Sequence, residues 1–156
     1  MTNRQIVIDY SEYEGLQELP AEARKLMDAA IAATETAYAP YSNFHVGAAV
    51  LLADGTMVTG SNQENAAYPS GLCAERTALF SASAQKLTQA VTALAVAGRD
   101  QKGRLTEASP CGACRQVLAE YEQQQGHPLR VVCYVNEGCV RVFKSVADLL
   151  PFSFQF

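Results

Sequence analysis

Gly71-Leu72-Cys73-Ala74-Glu75-Arg76-Thr77 places a soft metal ligand, a carboxylate and a guanidinium in succession at the start of what reads as a helix. A second stretch, Ser109-Pro110-Cys111-Gly112-Ala113-Cys114-Arg115, answers it further along the chain. Together they offer three thiols and one acid. Structural zinc sites usually close their tetrahedron with four protein ligands, whereas catalytic ones keep three and leave a position for water. The two stretches suit the second kind, and the fold must aim two helix starts at one point to use them.

Working outward from this pair, the elements fall into place. After Arg76 the first helix runs Thr77 to Ala84 without a charge. A helix apolar or small on every side is buried on every side, here against the sheet and against a further surface such as another subunit. Upstream, Phe44 to Leu52 reads as a strand with Val46, Ala48, Val50 and Leu52 on one face, and Asp54-Gly55 is a hairpin signal leading into Thr56 to Gly60. Ser61 to Gly71 is a loop without clear periodicity, more often functional than idle in a compact domain. Before these, Pro20 opens a helix whose apolar set Ala23, Leu26, Met27, Ala30, Ile31, Thr34 and Tyr38 follows helical spacing, and Ala39-Pro40 ends it.

Downstream, Ala90 to Ala97 is a continuous apolar run, expected of a central strand covered on both faces. Gly98 to Glu107 reads as a charged loop. Ser109-Pro110 reads as a cap followed by a first helical residue, with Gln123-Gln124-Gln125-Gly126 as the stop. Leu129 to Val135 and Cys139 to Phe143 are two more strands, and Ser145 to Leu150 is a short helix stopped by Pro151. Gln5 to Tyr10 alternates weakly, as a short edge strand does, and Glu12 to Glu18 reads as loop. The order implies a three-layer α/β/α fold with one mixed sheet of about five strands. Residues 1–19 form an N-terminal extension and residues 20–156 a single domain.

Composition narrows the function classes. Of 156 residues, 49% are hydrophobic and 18% charged, which argues against disorder. The net charge is −4 and no Lys/Arg run occurs, so a nucleic acid polymer is a poor partner and a small uncharged substrate a better one. No apolar run approaches the roughly 18 residues needed to span a membrane, and the N-terminus lacks the apolar core of a signal peptide. The five cysteines include a C-x-x-C and read as metal ligands in a reducing cytoplasm better than as disulfides.

Each site residue has a chemical and a plain reading. Cys111 and Cys114, three apart on a helix, are metal ligands or else redox or core thiols. Thiolate is the ligating form, and a helix N-terminus lowers a cysteine pKa. Arg76, one turn from Cys73, either draws charge off the sulfurs or pairs with a buried carboxylate. Glu75 is a proton shuttle beside a metal-activated water, or a first-turn acid favoured by the helix dipole. Cys133 and Cys139 read as core thiols, and His45 and His127 as structural or surface residues.

The motif pair Cys73-Ala74-Glu75 and Pro110-Cys111-Gly112-Ala113-Cys114 resembles the signature of the zinc-dependent cytidine deaminases, in their small homotetrameric form with three cysteine ligands. The resemblance covers roughly Pro40 to Phe154. It takes in Pro40-Tyr41-Ser42-Asn43-Phe44, Val46-Gly47-Ala48-Ala49, Asn62-Gln63-Glu64-Asn65-Ala66 and Leu149-Leu150-Pro151. It implies one Zn²⁺ per chain on Cys73, Cys111 and Cys114, with Glu75 carrying protons. Phe44 would pack on the nucleoside, Asn62 and Glu64 would hold the ribose hydroxyls, and Ala66 would contact the base through its backbone, with Ala74 also against substrate. Tyr68 and Phe154 would reach a neighbouring subunit's site. The implied reaction is hydrolytic deamination of cytidine and 2′-deoxycytidine by zinc-activated hydroxide, in pyrimidine salvage. His45 and Gln63 depart from the family's usual proline and aliphatic residue, and Gln155-Phe156 extends the tail. The rival readings are a deaminase of a related nucleoside or nucleoside antibiotic, a polynucleotide-editing deaminase, and a structural-zinc interaction module. The last would need a fourth ligand from Cys133, Cys139, His45 or His127.

Overall fold

The computed structural model describes residues 1–85 and 89–155, so the terminal Phe156 lies outside the described residues. Three helices flank one sheet: α1 (Ala21–Ala33), α2 (Ala74–Ala84) and α3 (Gly112–Gln125). The strands are β1 (Tyr10–Tyr13), β2 (His45–Leu52), β3 (Met57–Ser61), β4 (Val91–Arg99), β5 (Leu105–Thr106), β6 (Arg130–Tyr134) and β7 (Val140–Phe143). They run in the order β1-β7-β6-β4-β2-β3, with β5 added to the end of β4. Only β4 and β6 pair in parallel, joined through α3, so the sheet is mixed as expected.

The sheet has seven strands where about five were expected. One addition is β5, two residues set back onto β4 by a turn in which Asp100 bonds the Lys102 and Arg104 amides and the Arg104 guanidinium. So short a strand inside a polar segment has no periodicity to read. The other is β1, which lies later than the Gln5 to Tyr10 alternation suggested and occupies part of the expected loop. Its register is set across the strands: Tyr10 lies opposite Phe143, their rings 5.5 Å apart, and Glu12 lies opposite Arg141 and accepts from its guanidinium at 2.6 Å. Those partners are 129 or more positions away along the chain, beyond the reach of local pattern.

Both faces of the central strands are covered. Ala48, Val50 and Leu52 of β2 pack with Ala78, Leu79 and Leu118 from α2 and α3, while Ala49 and Leu51 pack with Leu26, Met27 and Ala30 from α1. That alternation is the period of two that a pleated strand imposes. Leu19, just ahead of α1, is buried in the α1 layer. Two glycines let helices approach closely. A Cβ at Gly47 would lie 2.1 Å from the Ala30 carbonyl oxygen in α1, and one at Gly60 would lie 2.4 Å from the Ala78 amide nitrogen in α2. The hairpin after β2 turns at Gly55, whose φ of +87° only glycine takes without strain. Helix α1 is shorter than its periodicity suggested: it gives way to a 3-10 turn at Thr34–Thr36, and Tyr38 bridges instead to Gln63.

Candidate active site

Both helices that carry the quoted motifs start at a cysteine. Cys73 is the N-cap of α2 and Cys111 the N-cap of α3, each with extended backbone, and Cys114 follows in the first turn of α3. The Ser109-Pro110 start expected from sequence is displaced by two residues. Pro110 is buried and its carbonyl accepts from Arg115 Nε at 2.8 Å, which holds the chain out of the helix until Gly112. The cap position thereby falls to a sulfur rather than a hydroxyl.

The three sulfurs lie within 4.8 Å of one another, and Cys73 Sγ is 3.8 Å from Cys111 Sγ. A disulfide would need about 2.05 Å, whereas sulfurs about 2.3 Å from one tetrahedral zinc stand roughly 3.8 Å apart. Hydrogen bonding from Cys114, together with the Arg76 guanidinium, pulls the Cys73 thiol down to about 5, while the same Cys73 sulfur and burial push Cys114 up. Among the described residues no fourth His, Cys, Asp or Glu joins the group. Cys133 is buried in the α2–α3 core and Cys139 is partly exposed just before β7 rather than on a strand. The donor set fits zinc with an open position.

Glu75 is 3% exposed, and burial raises its carboxyl to about 7. Arg76 Nη2 donates to Cys73 Sγ at 3.7 Å and makes no ion pair with a carboxylate among the described residues, so of its two readings the geometry supports charge relief at sulfur.

Cys73, Ala74, Glu75, Arg76 and Cys111 line part of a cavity of about 790 Å³; Phe44, Asn62, Glu64 and Tyr68 are also among its lining residues, and Cys114 is fully buried. Asn62 accepts from the Val46 amide at 2.8 Å and donates to the Phe44 carbonyl at 2.9 Å, leaving one N–H and one lone pair of its amide uncommitted. Glu64 accepts from the Tyr41 amide at 2.9 Å and from the Ser42 hydroxyl, and these bonds hold its carboxyl below the usual range. Tyr68 stands 77% exposed, its ring 6.2 Å edge-on from Tyr41. Ala66 and Phe154 do not line this cavity among the described residues.

Several residues that shape the cavity were given no role in it by the sequence, although Ser42 and Gln63 lie in the stretches quoted above. Ser42 binds Glu64 and reaches the Phe44 amide at 3.0 Å, in a turn where Asn43 takes a positive φ of 53°. Gln63 lines the cavity and exchanges both backbone hydrogen bonds with Leu72 at 2.9 Å, which ties the loop of Asn62 and Glu64 to the entry of α2. Gly98 leaves room for the Phe44 ring, whose Cζ would stand 2.8 Å from a Cβ there.

Comparison with known proteins agrees with this geometry. Residues 20–126 match the family model described as the cytidine and deoxycytidylate deaminase zinc-binding region. The chain is 48% identical over 99 residues to a cytidine deaminase of Halalkalibacterium halodurans, covering 64% of this chain and 71% of that one. It is 40% identical over 124 residues to a cytidine deaminase of Mycobacterium tuberculosis, covering 76% and 78%. The crystal structure of cytidine deaminase from Burkholderia pseudomallei superposes with a TM-score of 0.72 at 48% identity, over 83% of this chain and 97% of that one. Motif, site geometry and fold agree, and the chain belongs to the cytidine and deoxycytidylate deaminase family.

Proposed function

We propose that this chain hydrolyses cytidine and 2′-deoxycytidine to uridine and 2′-deoxyuridine with release of ammonia. The observation that carries the reading is the convergence of three thiols from two helix starts beside a buried acid, on the wall of a cavity of nucleoside size or larger. Cys73, Cys111 and Cys114 hold one Zn²⁺, which when bound supplies the Lewis acidity that activates water near neutral pH. Arg76 offsets the negative charge of the thiolates, so the bound metal keeps more of that acidity. The general chemistry is that of zinc-dependent nucleobase deaminases and is carried over from them rather than derived from this geometry. Within it Glu75 takes a proton from water and passes it to N3 of the ring, then takes the proton of the hydroxyl added at C4 and gives it to the amine as it leaves. Water supplies the oxygen that becomes the new carbonyl, and the products balance as a uracil nucleoside and ammonia. A carboxyl raised to about 7 both accepts and returns a proton at neutral pH.

Asn62 and Glu64 hold the ribose hydroxyls, Phe44 packs on the nucleoside, and Ala66 and Ala74 contact the base. The ionisable side chains of the cavity wall favour a free nucleoside over a nucleotide. Among the described residues of the wall Glu64, Glu75 and Glu107 face one guanidinium, Arg76, which is committed to Cys73, so none of them offers a phosphate a free cation. The assembly is a homotetramer with shared active sites, to which Tyr68 and Phe154 contribute across subunit boundaries. The exposed Phe80, Phe152 and Phe154, 43%, 86% and 64% accessible, are the surface that supports it. Residues 1–19 are an extension of the domain formed by residues 20–156. The free thiols suit a cytoplasmic enzyme of pyrimidine salvage, and no helix among the described residues is long and apolar enough to cross a membrane. Offering cytidine and cytidine 5′-monophosphate side by side tests the substrate class. The nucleoside should be converted and the nucleotide left; preference for the monophosphate would overturn the reading.

A further inference from the structure

The first turns of α3 carry more than thiols. Immediately after Cys114, two side chains reach the C-terminal segment. Arg115 donates from Nε to the Pro110 carbonyl at 2.8 Å and from Nη1 to the Leu149 carbonyl at 3.0 Å, so one guanidinium joins the thiol loop to the start of the tail. Gln116 then meets a single tail residue with both ends of its amide. Its Nε2 donates to the Phe154 carbonyl at 3.0 Å and its Oε1 accepts from the Phe154 amide at 2.9 Å. That is the pairing a neighbouring strand would give, supplied by one side chain where no strand lies. Downstream of the turn at Pro151 and Phe152 the described tail residues, 153–155, have no secondary structure of their own, and Phe154 remains 64% exposed. The matched amide bonds tie its backbone to α3.

We propose that Gln116 is a positioning residue for substrate binding. It docks Phe154 onto the rigid helix that carries Cys111 and Cys114, so that the tail's aromatic ring is held in place for the neighbouring subunit's site. This rests on the reading of Phe154 as a substrate-site residue in the assembled enzyme. Gln116 touches neither substrate nor metal in this scheme. Its loss raises KM while kcat and zinc content hold.

The test uses the zinc-loaded, full-length enzyme and the variants Gln116→Leu, Gln116→Glu and Phe154→Ala. Gln116→Glu preserves size and one acceptor but sets a carboxylate against the Phe154 carbonyl, which covers the case in which the leucine variant folds poorly. In both Gln116 variants hydrogen exchange in the segment 152–155 should rise roughly tenfold, the loss expected of about two net hydrogen bonds. KM for cytidine should rise with kcat and zinc per chain unchanged. Unchanged exchange in that segment overturns the anchoring. Faster exchange with an unchanged KM overturns its service to the site. Phe154→Ala separates the causes: if it raises KM while the Gln116 variants do not, the positioning role alone fails. If it too leaves KM unchanged, the fault lies in the reading of Phe154.

Discussion

Glu75 is the residue on which the proposed chemistry turns, and its environment makes a sharp expectation. A carboxyl 3% exposed and raised to about 7 sits where an amide of equal shape would also fit. Glu75→Gln should therefore keep its fold and its zinc, while kcat falls by about 10²–10⁴-fold, the usual contribution of a positioned acid–base group. Zinc analysis beside single-turnover kinetics checks this; loss of metal together with activity would make Glu75 a structural residue. Glu64 offers a second check. Its carboxyl is held below the usual range chiefly by the Ser42 hydroxyl and then by the Tyr41 amide. Its folded-state pKa is depressed, so whatever these bonds contribute to stability is present above the ordinary carboxyl pKa and is lost as pH falls through the folded value. Ser42→Ala should move the Glu64 titration upward in a carboxyl-detected NMR experiment, and an unmoved titration would show that the hydroxyl is not its main partner.

At the scale of elements, the site depends on how closely α2 lies on β3. A methyl at Gly60 would stand 2.4 Å from the Ala78 amide nitrogen and 2.8 Å from the Ala74 carbonyl oxygen, both backbone atoms that cannot rotate away. Gly60→Ala should lower unfolding free energy by about 1–3 kcal/mol, as overpacking does. It should also weaken zinc retention, because Cys73 caps the helix that is pushed. Denaturant melts and metal titration read the two effects separately. Elements were the level at which sequence spoke most clearly and also misled. The all-round apolar character of β4, the alternation of β2 and the Asp54-Gly55 turn were legible because their causes are local. The start of α3 was misplaced because Ser109-Pro110 has the right residue types, yet the Pro110 carbonyl is taken by Arg115. β1 was placed too early and β5 was missed because their cross-strand partners decide them.

Across the whole molecule, the sequence brought the three thiols and Glu75 into one hypothesis from spacing and resemblance alone. The cavity wall was less legible: Ser42, Gln63 and Gly98 act by holding Glu64, the loop and Phe44, roles that exist only once distant segments meet. The proposed homotetramer predicts sedimentation at about four times the 16.8 kDa chain mass, and a fully active monomer would remove Tyr68 and Phe154 from the site. The central claim, however, is a three-thiol zinc site serving nucleoside deamination. The measurement that meets it most directly is conversion of cytidine by purified protein, with zinc determined on the same sample. Uridine and ammonia in equal amounts, with about one zinc per chain as three protein ligands and one open position require, is the predicted result. A folded, zinc-loaded protein that leaves both cytidine and deoxycytidine intact would contradict it.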